Sequence, residues 1–166
     1  MVKIVAPPIA KRIGDQGRLV WLRGLSGSGK STWAEKWRNA DPNRIFVVSL
    51  DGFREMWGIG YEYQSKQELA VWSSVDAVAE TLLRLGAIVI VDSTNLIVDS
   101  TDLYSTSQGH WEQLAARCGV PCQCVDFTHV GVEECIRRNQ ARAEAGGKYI
   151  PEKAIRAMAH RAGLPM

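Results

Sequence analysis

The chain has 166 residues, 46% hydrophobic and 23% charged, with a formal net charge of +2. That length suits one domain with a proper core, and the small net charge excludes binding of a polyanion through bulk basicity alone. No apolar run reaches the ~18–20 residues that a membrane-spanning helix needs.

Residues 1–18 read as an N-terminal extension. Val2 to Ala6 has the pattern of a short edge strand stopped by Pro7-Pro8, and Lys11 and Arg12 form a solvated basic patch. The two prolines fall where the apolar stretch of a secretory signal would lie, so no signal peptide and a cytoplasmic location are expected. Leu19-Val20-Trp21-Leu22 is the first buried strand. Gly24-Leu25-Ser26-Gly27-Ser28-Gly29-Lys30-Ser31 follows, matching G-x-x-x-x-G-K-[ST] at every required position, and Thr32 to Arg38 then has good helix formers without Gly or Pro. Strand, glycine loop and helix are the context in which this pattern cradles phosphate. The glycines let the backbone turn and keep side chains away from the anion, while successive N–H groups point inward at a helix N-terminus. Lys30 can reach the β- and γ-phosphates, and Ser31 can offer its hydroxyl to Mg²⁺. A nucleoside triphosphate site is expected.

An Asp41-Pro42-Asn43 turn introduces the second strand, Ile45 to Leu50, which ends in Asp51-Gly52-Phe53-Arg54. An acid just past the carboxyl end of a parallel strand lies on the ligand side of an open α/β sheet. One helical turn puts Asp51 and Arg54 on the same face, where a carboxylate can accept a proton and a guanidinium can grip a phosphate. The same Asp also suits a helix cap. Met56 to Gln64, with Trp57, Tyr61 and Tyr63 among glycines, reads either as a base-stacking loop or as packing.

Ser65 to Leu85 reads as one long helix with Leu69, Val71, Val75, Val78, Leu82 and Leu85 toward the core and Gly86 closing it. Ala87 to Asp92 is a third strand, continuous in apolar residues and therefore central. Its terminal Asp92 stands where a Walker-B acid would support Mg²⁺, and Ser93-Thr94-Asn95 add short polar groups beside the reactants, or simply a turn. Asp99 to Cys118 reads as a helix weakened by Ser105, Ser107 and Gly109, and Pro121 to Phe127 as a fourth strand. Val132 to Ala145 is a helix with Arg138 and Arg142 on one face, next to a Gly146-Gly147 hinge. Pro151 opens a last helix, Glu152 to Ala162. Such an arginine-bearing helix suits a lid over a transferring phosphoryl group, or a solvated basic face. The four cysteines, Cys118, Cys122, Cys124 and Cys135, make no C-x-x-C pair or zinc spacing and read as buried free thiols of a reducing compartment. His110, His129 and His160 read as structural or surface residues.

With these residues laid out, the chain resembles the kinase domain of the polynucleotide kinase family of P-loop phosphotransferases, over roughly residues 19–160. The likeness rests on Gly27 to Ala34, on Asp51-x-x-Arg54, on Asp92-Ser93-Thr94-Asn95-Leu96, and on Arg138-Asn139-x-x-Arg142 followed by Ile150-Pro151. It implies a three-layer α/β fold with a central parallel sheet and an Arg-bearing lid at 131–150, in one domain spanning 1–166. It implies ATP and Mg²⁺, with Gly27, Ser28, Gly29, Lys30, Ser31, Thr32 and Arg138 on the nucleotide and Ser31 and Asp92 on the metal. Asp51 would be the general base, Lys30 and Arg142 would stabilise the transition state, and Arg54, Thr94 and Asn95 would hold a nucleic acid acceptor. That acceptor is either the 5′-hydroxyl of a polynucleotide or, as in phage relatives, the hydroxymethyl group of a modified pyrimidine in DNA, 5-hydroxymethyluracil. The loop from Trp21 to Thr32 is also similar to that of adenylylsulfate kinase, and other small-molecule kinases share the fold. A nucleotide-binding switch would not require Asp51, Arg54 and Arg142 together.

Overall fold

The computed structural model describes residues 17–58, 65–93 and 107–165. Strands β1 (Arg18–Arg23), β2 (Ile45–Ser49), β3 (Ile88–Asp92) and β4 (Cys122–Asp126) form a parallel sheet in the order β2-β3-β1-β4. Among the described residues the helices are α1 (Lys30–Ala40), α2 (Leu50–Met56), α3 (Ser65–Arg84), α4 (Ser107–Cys118), α5 (Val132–Glu144) and α6 (Glu152–Arg161). This is an α/β P-loop kinase-like fold, as the motif order implies. None of the described helices is long and apolar enough to cross a membrane.

Covering both faces of the sheet explains why β1 from Leu19 to Leu22 and β3 from Ile88 to Val91 are apolar at every step. Leu19, Trp21, Val89 and Val91 face Val71, Val75, Ala79 and Leu83 of α3 and Trp111 and Leu114 of α4. The alternate residues Val20, Leu22 and Ile90 face Trp33 and Ala34 of α1. A third cluster joins Leu25 of the glycine loop to Val132 and Cys135 of α5 and Ile155 and Ala159 of α6. Helices α5 and α6 thus rest on the glycine loop itself.

Register places the ligand side. Ser49 is paired with Asp92, so the ends of β2 and β3 are level and Asp51 follows two residues on. Leu50, expected to finish β2, is instead the first residue of α2, because Ser49 turns the chain and caps the helix, its hydroxyl accepting from Gly52 N at 3.3 Å. Asp51 is therefore not the cap, and its carboxylate is released for other partners.

Two further expectations change. On α3 the buried ridge runs Val71, Val75, Ala79 and Leu83 in four-residue steps, with Leu82 partly buried against it. Leu69, Val78 and Leu85 are exposed, because a straight helix gives the sheet one ridge and these residues flank it or lie past its end. Only Cys135 of the thiols is buried: Cys118 and Cys122 are half-buried and Cys124 is exposed on the edge strand β4, all unpaired. Partial burial pushes Cys122 and Cys124 up to about 11, so both stay protonated near neutrality. The expected helix from Asp99 is described only from Ser107. The N-terminal strand, the aromatics Tyr61 and Tyr63, and Thr94 and Asn95 lie outside the described residues. Trp57 packs edge-on against Phe53 at 5.7 Å.

Candidate active site

The loop between β1 and α1 is held by backbone geometry only glycine tolerates cheaply. Gly29 opens α1 at φ 101°, in the left-handed region. Gly27 has φ 87°, and a Cβ there would stand 2.2 Å from the Cys135 carbonyl oxygen, so α5 abuts the loop at this point. Lys30 follows, with Nζ donating to Gly24 O at 2.9 Å and Leu25 O at 2.8 Å. Burial pushes this ammonium down to about 8, against the pull of Asp92, Cys135 and Asp51. Ser31 hydrogen-bonds to Asp92, whose carboxyl burial raises above its usual value while the Ser31 bond works the other way.

On the opposite wall, Asp51 occupies the first turn of α2. Its Oδ1 accepts from Arg54 Nη1 at 2.7 Å and its Oδ2 from Lys148 Nζ at 2.6 Å. Burial opposes the charge, but the hydrogen bond and charge of Lys148, then those of Arg54, outweigh it and hold the carboxyl below its usual value. Arg54 is itself clamped by Glu68 of α3, through Nε at 2.8 Å and Nη2 at 2.6 Å. That fork leaves fewer donors for a phosphate than a solvated arginine would offer.

The third wall is the α5–α6 connection. Asn139, 1% exposed, donates to Ile150 O at 2.8 Å and accepts from Ile150 N at 3.1 Å. Its Oδ1 also accepts from Arg142 Nη2 at 2.8 Å, and Arg142 Nε donates to Lys148 O at 2.7 Å. Arg138 pairs with Glu134 at 2.7 Å and donates to Ser28 O at 3.4 Å. One turn of α5 thus ties the loop after it, the glycine loop before it and two arginines together.

These walls enclose a cleft of about 820 Å³. Gly27, Gly29, Lys30, Ser31, Thr32, Asp51, Asp92, Arg138 and Arg142 all line it, although they come from widely separated stretches. Ser28 is fully buried beneath the loop, and Arg54 stands behind Asp51. Lys148, which also lines the cleft, was not singled out by its sequence, nor were Ser49 and Glu68, and Asn139 was named only within the Arg138-Asn139-x-x-Arg142 pattern, without a role of its own. The Asn139–Arg142 spacing of three residues was the only local signal among them.

The donors fit Mg²⁺ as a P-loop site holds it: one hydroxyl and one half-buried carboxylate, with phosphates and water to supply the rest. The described residues contain no cluster of three or more His, Cys, Asp or Glu that would form an all-protein cage.

A family model described as AAA domain matches residues 19–165. A chain of the Pnkp1/Rnl/Hen1 RNA repair complex is similar at TM-score 0.70 and 26% identity, covering 89% of this chain and 44% of that one. A second structure of the Pnkp1/Rnl/Hen1 complex matches at TM-score 0.60 and 24% identity, over 77% of this chain and 40% of the other. The Mycobacterium tuberculosis APS kinase CysC, solved with AMPPNP and APS, matches at TM-score 0.55 and 22% identity, over 79% and 75%. The last two are likenesses of fold. This chain spans less than half the length of the repair-complex chains. With its nucleotide-binding P-loop and kinase-type phosphotransferase fold, and in keeping with its polynucleotide kinase-like motifs, the chain belongs to the AAA domain family.

Proposed function

We propose that this protein transfers the γ-phosphate of ATP to a hydroxyl on a nucleic acid, either the 5′-hydroxyl of a polynucleotide or the hydroxymethyl group of 5-hydroxymethyluracil in DNA. The observation that carries the reading is the Asp51 carboxylate, bonded to Arg54 and Lys148, facing the same cleft as the phosphate loop, with a basic helix along its third side. A nucleotide-binding switch needs the loop but not this acceptor-side carboxylate.

The backbone N–H groups of Gly27 and Gly29 and the ammonium of Lys30 hold the triphosphate, and Arg138 reaches it from α5. Ser31 and Asp92 would hold Mg²⁺, which would neutralise phosphate charge. Asp51 accepts the proton of the acceptor hydroxyl while its oxygen bonds to the γ-phosphorus; the bond to the β-γ bridging oxygen breaks and ADP leaves. Lys30 and Arg142 stabilise the charge on the equatorial oxygens. Arg54, braced by Glu68, fixes the side of Asp51 away from the reacting hydroxyl and turns its remaining donors to an acceptor phosphate. Thr94 and Asn95 are assigned to the acceptor by the family resemblance alone.

The reading is supported by the 26% identity to the Pnkp1 repair-complex chain and by the order and spacing of the motifs. Adenylylsulfate kinase is the second reading, favoured by the loop from Trp21 to Thr32. Phosphate transfer from γ-labelled ATP to 5′-hydroxyl DNA and RNA, a 5′-blocked duplex containing hydroxymethyluracil, and adenylylsulfate separates them. Label on a nucleic acid supports the proposal and identifies the acceptor. Label confined to adenylylsulfate, or absent from all, overturns it.

A further inference from the structure

Lys148 lies 97 residues from Asp51 in the chain, yet its Nζ is 2.6 Å from the carboxylate. An exposed ion pair contributes little. This one is different in construction. Lys148 is largely covered, and its backbone carbonyl is gripped by Arg142, which Asn139 holds in turn. Gly147 allows the approach: a Cβ there would stand 2.8 Å from Arg142 Cγ and 3.0 Å from the Arg142 carbonyl. Arg142 and Lys148 are therefore parts of one braced connection, with one cation lining the phosphate cleft and the other on the acceptor-side acid.

We propose that Lys148 is a positioning residue for Asp51: from the α5–α6 connection its charge-assisted hydrogen bond holds the carboxylate aimed into the cleft, so that seating the connection readies the base. The inference rests on the role given to Asp51 in the proposed function. The two oxygens are divided between partners, Oδ1 to Arg54 and Oδ2 to Lys148, and each carboxylate oxygen has a second lone pair for an incoming hydroxyl. The charges facing Asp51 are Arg54 from α2, Lys148 from the connection, Lys30 from α1 and Asp92 from β3. Arg54 shares its charge with Glu68 of α3, and Asp92 repels, which leaves Lys148 a decisive partner.

Two measurements on the full chain test this. In carbon-13 NMR titrations, with the Asp51 signal assigned by its loss in Asp51→Asn, the carboxyl midpoint rises in Lys148→Met and stays near wild type in Lys148→Arg. An unchanged midpoint in Lys148→Met overturns the inference whatever the acceptor proves to be. In transfer assays on the acceptor that wild type labels, Lys148→Met lowers kcat by about tenfold or more, the size expected for losing one charge-assisted hydrogen bond. It leaves KM for ATP near wild type and moves the acid limb of the kcat profile upward, and Lys148→Arg restores most of the rate. A wild-type acid limb in Lys148→Met sinks the positioning role, whereas wild type that labels nothing sinks the proposed function instead.

Discussion

Gly27→Ala isolates the contact between the phosphate loop and α5. The added methyl would meet the Cys135 carbonyl at 2.2 Å, and real Cβ atoms stay beyond 3.0 Å, so loop or helix must retreat by about 0.8 Å. Holding alanine at φ 87° costs about 1–3 kcal/mol and the forced approach about as much again, giving a loss of about 2–6 kcal/mol. Gly119→Ala is the control, since Gly119 has φ 67° with nothing within 4 Å of its Cβ position. It should lose only the backbone part, about 1 kcal/mol. Urea unfolding at fixed pH reads both, and titration with an ATP analogue reads the loop separately, with affinity expected to fall in Gly27→Ala alone. Equal losses in the two variants would refute the reasoning, because they would mean that Cys135 and α5 yield freely to the loop.

Asp51→Asn should lower turnover by about 10²–10⁴-fold, the usual share of a general base, with ATP binding nearly unchanged; equal turnover removes Asp51 from the mechanism. Asn139→Ala strips three hydrogen bonds from the α5–α6 connection. It should cost about 1–3 kcal/mol in denaturant unfolding, with limited proteolysis cutting faster near residues 146–150. The Asp51 carboxyl sits below its ordinary 3.8 in the folded protein, so its contribution to stability is full above that value and is lost as pH falls through the lower folded value. Acid unfolding monitored by circular dichroism should therefore begin at higher pH in Lys148→Met than in wild type.

What could be read from sequence was carried by local pattern. The loop at 24–31 is contiguous, and the strands ending at Ser49 and Asp92 announce themselves by apolar runs that stop at polar residues. Asp51 and Arg54 are one helical turn apart, so their bond at 2.7 Å was implicit in their spacing. Lys148 had no such signal: it follows two glycines in a short connection, and its partner is on another element. Glu68 was equally opaque, since its fork to Arg54 depends on how α2 packs on α3. The buried face of α3 was misjudged for a related reason. Periodicity fits several stripes of Leu and Val, and only the sheet decides that Ala79 belongs inside and Leu69 does not.

The junction of β2 and α2 has no loop: Ser49 ends the strand and Leu50 begins the helix. Length variation there has no slack in which to be absorbed. One extra residue between Ser49 and Asp51 would swing the acid about 100° around the helix axis and advance it about 1.5 Å, off both of its cations. The same insertion at the turn over residues 41–44 would lengthen a surface connection and leave the carboxylate where it is. Relatives of this protein should accordingly differ in length before β2 and keep the step from Ser49 to Asp51 fixed.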